Sequence, residues 1–181
     1  MKFYISDLHF GHKNIIGYDN RPFFTVDEMD KTLIQNWNNR VTNSDTVYIL
    51  GDVSWYNRKQ ENEILHQLNG EKVLILGNHD TTPRNGSEID SWWDYLTVID
   101  RGESVVLSHY PIASFNGMFR GWIHLYGHVH NSAQANIVEH LYKETEELFD
   151  ARIKAANVGC MMPYMDYTPR TLEEIKKAKG W

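Results

Sequence analysis

The sequence lacks the features that mark secreted or membrane proteins. Among its 181 residues there is one cysteine, Cys160, so no internal disulfide can form. No run approaches the roughly 20 apolar residues that span a bilayer. The first residues, MKFYISDLHFGH, carry charge too early for the apolar segment of a secretory signal. From these absences we expect an intracellular protein of the cytoplasm.

Positive charge is also scarce. The chain has 18 Lys and Arg against 24 Asp and Glu, a formal net charge of −6, and its basic residues form no dense run. Strong non-specific binding of long nucleic acid depends on clustered phosphate contacts, so this composition argues against it. A small phosphorylated ligand is not excluded. The length and composition are those of a single globular domain, which we expect over residues 1–181.

Short apolar runs alternate with helical patterns in the first half of the chain. The runs 2–6, 46–50 and 72–76 predict strands, each followed closely by Asp or Asn. Between them, the apolar spacing predicts helices over 25–41 and 58–70. This alternation predicts a parallel sheet with crossover helices. Ligands of such sheets bind at the carboxyl ends of the strands.

The second half mixes strand and helix patterns. In the predicted helix 136–149, we expect Ile137, Leu141 and Leu148 on the inner side, with Val138 as a further candidate. The predicted elements are a hairpin of 97–100 and 103–108, a strand at 121–127, the helix 136–149, a strand at 152–159 and a closing helix within 168–179. The start of the closing helix fits a capping box of Thr171 with Glu174.

Nine histidines are the unusual feature of the composition. Side chains two residues apart on a strand point the same way, so a pair such as His128 and His130 can clamp a metal. One such pair alone is more often a hydrogen-bonded surface pair. Here the candidates recur at five predicted strand ends: Asp7 with His9, Asp52, Asn78 with His79, His109, and His128 with His130.

Two of these candidates are acids on neighbouring parallel strands. Asp7 and Asp52 would repel each other there, and buried carboxylates without a partner are unfavourable. A dication between them removes the repulsion. Mixed oxygen and nitrogen ligands suit Mn, Fe, Zn or Ni better than Mg or Ca. The residues therefore predict a transition-metal site.

The chain resembles the small single-domain bacterial and phage-type members of the calcineurin-like metallophosphoesterase superfamily. The resemblance implies an α/β fold of mixed type, a four-layer α/β/β/α sandwich. Two facing mixed β-sheets would be flanked by helices, with a two-metal site at the strand ends. The motifs that carry it are Asp7-x-His9, Gly51-Asp52, Gly77-Asn78-His79-Asp80, Ser108-His109 and Gly127-His128-Val129-His130.

The same resemblance implies seven metal ligands, of which Asp52 bridges two divalent ions. We expect Mn²⁺, with Fe, Zn or Ni as alternatives. With a bridging hydroxide, two dications and two carboxylates leave a positive centre that attracts phosphate. The shared water would attack phosphorus in line with the leaving oxygen. The implied ligands are Asp7, His9 and His130 for one ion, Asn78, His109 and His128 for the other, and Asp52 for both.

Asp52 and His79 are the catalytic residues that the resemblance implies. His79 would stabilise charge or protonate the leaving group. In the serine/threonine phosphatases an acid three residues after the bridging Asp orients this histidine, whereas this chain has Trp55 there. His79 therefore lacks that partner unless Asp80 or another residue substitutes. The difference argues against a protein phosphatase.

Other residues have weaker claims to substrate contact. They are Asn78, His12, Arg21 and Arg120, of which the arginines suit phosphate through the guanidinium fork. Most arginines are instead solvated surface residues. The aromatic residues Trp92, Trp93, Tyr95 and Phe119 either form a rim for a nucleoside or aryl group or simply pack.

The function predicted from the sequence is a metal-dependent phosphoric ester hydrolase, and more specifically a phosphodiesterase. Its substrate would be a small phosphodiester such as a nucleotide. The alternatives are a phosphomonoesterase and a pyrophosphohydrolase of nucleotides or lipid-linked substrates. A catalytically silent scaffold of the same fold is disfavoured, because all seven ligands and His79 are present. The sequence does not decide whether the protein forms a homodimer, because exposed aromatic residues in the loops could form a dimer interface as well as contact a substrate.

Overall fold

A computed structural model describes residues 1–181, and its strands form two four-stranded sheets. The first sheet contains, in order and all parallel, β1 (Lys2–Ile5), β2 (Thr46–Ile49), β3 (Glu71–Ile75) and β4 (Ser91–Trp93). The second contains β5 (Tyr95–Asp100), β6 (Glu103–Ser108), β7 (Ile123–Tyr126) and β8 (Lys154–Asn157). Only β5 and β6 pair antiparallel. The second sheet is therefore mixed, as expected, whereas the first is purely parallel.

Five α-helices flank the sheets. None of them combines the length and apolar composition that a membrane-crossing helix requires. The predicted start of the last helix is confirmed, because Thr171 and Glu174 cap it reciprocally. The helices are α1 (Lys13–Tyr18), α2 (Val26–Asn38), α3 (Arg58–Leu65), α4 (Ala133–Phe149) and α5 (Leu172–Lys179).

The main core lies between the sheets. Val105 and Leu107 of β6 belong to it, together with residues of β1, β2 and α2. Val106, the residue between them, belongs instead to a second cluster with Tyr142 of α4. Side chains of β6 thus alternate between the two faces of its sheet. This alternation places α4 on the outer face of the second sheet, and the result is a layered α/β sandwich.

The orientation predicted for the long helix is wrong for three of its four residues, whereas Val138 packs against the second core cluster as predicted. Ile137, Leu141 and Leu148 are 68%, 41% and 78% exposed, whereas Ala135 and Tyr142 are buried. The helix carries two apolar stripes, and periodicity alone does not tell which one faces the core. The stripe that includes Tyr142 is buried, because its hydroxyl donates to the carbonyl of Ile112 while its ring packs on the sheet.

Candidate metal centre

The predicted ligands lie just beyond strand ends, at the carboxyl edge where the two sheets meet. Asp7 follows β1, Asp52 follows β2, and Asn78 follows β3. His109 and His128 follow β6 and β7 of the second sheet. The loops are joined by backbone hydrogen bonds, including Asp7 N to Gly51 O at 3.0 Å. Both sheets therefore contribute side chains to one site.

Most of these residues have a left-handed backbone. The φ angles are 55° at Asp7, 53° at His9, 55° at Asp52, 69° at His128 and 50° at His130. Non-glycine residues are uncommon in this region, and clusters of them mark functional sites. The pairs were expected to share a direction through strand alternation. They converge instead because the loops beyond the strands turn through left-handed positions.

The first donor set consists of one oxygen or nitrogen each from Asp7, His9, Asp52 and His130, all within 4.8 Å of one another. Nε2 of His9 lies 3.4 Å from Nε2 of His130 and 3.6 Å from Oδ2 of Asp52. Nε2 of His130 lies 3.6 Å from Oδ1 of Asp7. Ligands on a metal at ~2.0–2.2 Å are roughly 3 Å to 4 Å apart, so the spacing fits one ion.

The second donor set surrounds Asn78. Its Oδ1 lies 2.9 Å from Nδ1 of His128 and 3.0 Å from Nε2 of His109, and these two nitrogens are 3.2 Å apart. Oδ1 of Asp52 lies 3.6 Å from Nε2 of His109. Asp52 therefore turns one oxygen toward each donor set, which is the arrangement required of a bridging ligand.

The charges at the site also suit cations. Asp7 and Asp52 are 0% and 2% exposed. Burial, with repulsion from His130 and Arg21, lowers the pKa of His9 to about 2, so this imidazole is neutral. Burial raises the pKa of Asp52, and Asp7 adds to the effect. Two buried acids beside the neutral imidazole of His9 suit a divalent transition metal.

Hydrogen bonds behind the donors fix two of the imidazoles. Nδ1 of His109 lies 2.8 Å from the carbonyl of Leu50, and Nδ1 of His130 lies 2.8 Å from Oδ1 of Asp19. In each ring the other nitrogen faces the donor set, as in metal-binding histidines. Burial opposes protonation of His130, but Asp19 and Asp7 raise its pKa overall. Asp19 was missed in the sequence, because no motif surrounds it.

Arg21 is not placed to bind phosphate, and that interpretation of the sequence is corrected here. The residue is 4% exposed. Its guanidinium donates to the carbonyls of Asp7 and Leu8 at 2.8 and 2.9 Å, and to Oδ2 of Asp19. Because every donor faces the interior, Arg21 supports the loop that carries the first two ligands.

Asp80 does not orient His79. Its Oδ2 accepts from the amides of Asp52 and Gly77, both at 2.8 Å, and its Oδ1 accepts from Val53 at 2.9 Å. The carboxylate thus joins the loops after β2 and β3. The amide of His79 donates to Oδ1 of Asp52 at 3.0 Å, and its imidazole is exposed. The ring centroids of His79 and Trp55 are 4.5 Å apart.

Comparison with known proteins agrees with this geometry. The family model described as calcineurin-like phosphoesterase matches residues 3–157. This chain belongs to the calcineurin-like phosphoesterase family. It is 40% identical over 176 residues to an uncharacterized protein of Methanocaldococcus jannaschii, covering 96% of this chain and 88% of that one. With the Gene 66 protein of Mycobacterium phage D29 it shares 31% identity over 157 residues, 71% and 77% of the two chains.

A solved structure shares the architecture. A protein of unknown function from Aquifex aeolicus is 27% identical, with a TM-score of 0.74 over 98% of both chains. Family and fold together make this chain a phosphoesterase of the hydrolase class. The clustered donors of Asp7, His9, Asp52 and His130 indicate divalent metal ions as its cofactors.

A cleft of about 530 Å³ opens over the donor atoms of this phosphoesterase. Its lining includes His12, one of the predicted substrate contacts, but not Arg120. The Arg120 guanidinium donates to Asn116 and lies over the Trp122 ring, 5.5 Å from its centroid. The aromatic rim predicted from Trp92, Trp93, Tyr95 and Phe119 is also absent from the cleft. The full lining is His9, His12, Asn14, Ile15, Tyr18, Asp19, Trp55, His79, His128, Val129, His130, Ser132 and Gln134.

Proposed function

We propose that this phosphoesterase is a phosphodiesterase that uses two divalent transition-metal ions, with Mn²⁺ as the expected metal. The observation that carries the proposal is the convergence of two donor sets on the two oxygens of Asp52. One ion would be held by Asp7, His9 and His130, and the other by Asn78, His109 and His128. Such ions supply charge to bind phosphate oxygens and lower the pKa of water.

His79 is the residue best placed for proton transfer. Its imidazole lines the cleft beside His9 and His128 but belongs to neither donor set. Its amide is tied to Asp52, so the side chain is held above the site without being fixed by a carboxylate. We assign to it a proton donated to the leaving oxygen, or charge stabilisation there. Asn78 and His12 are assigned to substrate contact at the same edge.

The preference for a diester rests on the charge of the cleft. Its 13 lining residues include no Lys or Arg. A phosphate monoester is largely a dianion near neutral pH, and arginine or lysine contacts would help to balance its second charge. A diester carries one negative charge, which the ions alone can balance. A pyrophosphate has still more charge, so the cleft disfavours that alternative as well.

The experiment uses metal-stripped protein to which Mn²⁺ is restored. Hydrolysis of bis(p-nitrophenyl) phosphate is compared with that of p-nitrophenyl phosphate. We expect metal-dependent cleavage with a higher kcat/KM for the diester, abolished by Asp52→Asn. The matched control is Asp94→Asn, since Asp94 is exposed and outside the cleft. Preferential cleavage of the monoester, or activity without metal, would refute the proposal.

A second variant separates chemistry from metal binding. His79→Ala is expected to bind two equivalents of metal, as elemental analysis would show, because its side chain is not a donor. Its kcat for the diester should fall about 10²- to 10⁴-fold, the range for loss of a general acid. A variant that keeps full kcat would remove His79 from the mechanism and leave the metal assignment intact.

A further inference from the structure

One wall of the cleft is formed by stacked aromatic rings. The imidazole of His12 and the indole of Trp55 are 4.0 Å apart at an interplanar angle of 10°, a parallel stack. Tyr18 meets His12 edge-on, with centroids 6.4 Å apart. Trp55 is 49% exposed and Tyr18 is 75% exposed, and both line the cleft. Aromatic surface of this extent beside polar donor atoms needs an explanation.

The wall is anchored to the loops that carry the metal donors. The amide of Trp55 donates to the carbonyl of Phe10 at 2.7 Å, and the amide of His12 donates to the carbonyl of His9 at 3.1 Å. The ring centroid of His9 lies 5.4 Å from that of His12 and 6.3 Å from that of Trp55. A group seated against the wall would therefore be held at a fixed position beside the donor sets.

Apart from the metal-donor histidines, His79, and Asp19, which pairs with His130, the rest of the cleft is neutral and polar. Asn14, Ser132 and Gln134 line it, and each can donate and accept hydrogen bonds. Ile15 and Val129 are its only aliphatic residues, too few for an acyl chain. The absence of Lys and Arg leaves no side-chain cation for a second phosphate. The cleft is thus suited to one phosphate, a flat ring and neutral hydrogen-bonding edges.

We propose that the substrate's alcohol group is a nucleoside, so that the enzyme cleaves a nucleotide diester with a single phosphate. The inference rests on the proposed function. The base would stack on the wall of Trp55, His12 and Tyr18, while the phosphate lies over the donor sets. Stacking on aromatic side chains tolerates any base, since every base has a π-face. Asn14, Ser132 and Gln134 would contact the base edge or the sugar.

Two diesters with the same leaving group test the idea. Thymidine 5′-(p-nitrophenyl phosphate) and methyl p-nitrophenyl phosphate both release p-nitrophenol, so they differ only in the group that would meet the wall. For the Mn²⁺-loaded enzyme we expect kcat/KM to be about 5- to 100-fold higher for the thymidine ester. Trp55→Leu should reduce this ratio toward one, whereas Trp55→Phe should retain most of it.

The control variant is Phe24→Leu, the same loss of an aromatic ring at a residue that is 96% exposed and outside the cleft. It should leave both substrates unaffected. A ratio near one for the unmodified enzyme overturns the proposal. So do equal losses for both esters in Trp55→Leu, since Trp55 would then serve only to pack His12 and His79.

A binding measurement keeps the two proposals distinct. Calorimetry with thymidine 5′-monophosphate and with methyl phosphate compares the nucleoside and methyl groups without turnover. If the metal-loaded protein cleaves neither ester but binds the thymidine compound about 5- to 100-fold more tightly in a Trp55-dependent way, the nucleoside inference stands and the phosphodiesterase assignment fails. If both esters are cleaved equally and both ligands bind equally, the phosphodiesterase assignment stands and the nucleoside inference fails.

Discussion

Asp19 and His130 are joined through Oδ1 and Nδ1 at 2.8 Å, although 111 positions separate them in the chain. The other ring nitrogen of His130 belongs to the first donor set. Arg21 in turn donates to Asp19 and to the carbonyl of Asp7. One buried arginine thereby supports two donors of the same set, one through a carboxylate and one through the backbone.

The carboxylate of Asp19 is expected to strengthen metal binding by His130. In Asp19→Asn the neutral amide no longer stabilises the ring in the required tautomer and orientation, so metal affinity should fall about 10- to 100-fold. Calorimetric titration of metal-stripped protein measures this change. Asp94→Asn is the matched control, because its side chain is exposed and contacts no donor. Unchanged affinity in Asp19→Asn would show that its contact with His130 has no influence on the site.

Arg21 should matter for stability more than for substrate binding. Arg21→Met leaves the buried carboxylate of Asp19 without its cation and two carbonyls without their donors. We expect the free energy of unfolding of metal-free protein to fall by about 3–5 kcal/mol, as for a broken buried ion pair. Urea titration provides the measurement, with the exposed Arg84→Met as control. A variant with normal stability but a raised KM would restore the phosphate-contact interpretation.

The candidate donors were readable in the sequence because each follows an apolar run that forms a strand, but the choice of seven among them, without His79, came from the family resemblance. The backbone conformation that directs these side chains toward one another was not readable in the sequence. Five left-handed residues depend on contacts between loops from different strands, such as the hydrogen bond of His128 N to Asp7 Oδ1 at 3.1 Å. Three of the five motifs contain a glycine, Gly51, Gly77 or Gly127, and the same crowding explains each of them. A Cβ on Gly127 would lie 2.6 Å from Oδ2 of Asp7.

Short elements and long-range partners account for what the sequence did not disclose. No helix was predicted over the six residues of α1, since one and a half turns carry little periodicity. That helix places Tyr18 on the cleft and brings Asp19 to His130. In the sequence, Trp55 was noted only because it stands where the serine/threonine phosphatases have an acid. Its stacking on His12 depends on a contact between two loops that no local pattern encodes.

Asp80 should control the geometry of both loops that meet at Asp52. Its carboxylate accepts hydrogen bonds from three backbone amides. In Asp80→Asn one carboxylate oxygen becomes an NH₂ group, which donates hydrogen bonds but cannot accept them. A buried donor left unpaired lowers stability by about 1–3 kcal/mol. We expect a loss of that size together with weaker metal binding, measured by urea titration and by elemental analysis after dialysis. An unaltered metal content would show that the loops hold Asp52 without this clamp.

The buried histidine of β7 predicts a dependence of stability on pH. His124 is 0% exposed, with Nδ1 3.2 Å from the carbonyl of Val106, and Nε2 accepts from the amide of Ile112 at 3.1 Å. Protonation of Nε2 would place its N–H group opposite the amide N–H of Ile112, and the two donors would repel each other. Burial lowers the pKa of His124 to about 4, although the Val106 contact acts in the opposite direction.

The sign follows from proton binding in the two states. Between about pH 6.5 and about pH 4 the unfolded chain binds a proton at His124 that the folded protein does not bind, so the free energy of unfolding falls as the pH is lowered through this window. Urea titrations of metal-free protein near pH 7 and pH 5 should show this decrease. In His124→Gln the decrease should be smaller, because a neutral amide replaces the titrating ring. The exposed His66→Gln is expected to keep the full dependence. Equal pH dependence in His124→Gln and the unmodified protein would mean that protonation of the other buried groups, and not of His124, governs the loss of stability in acid.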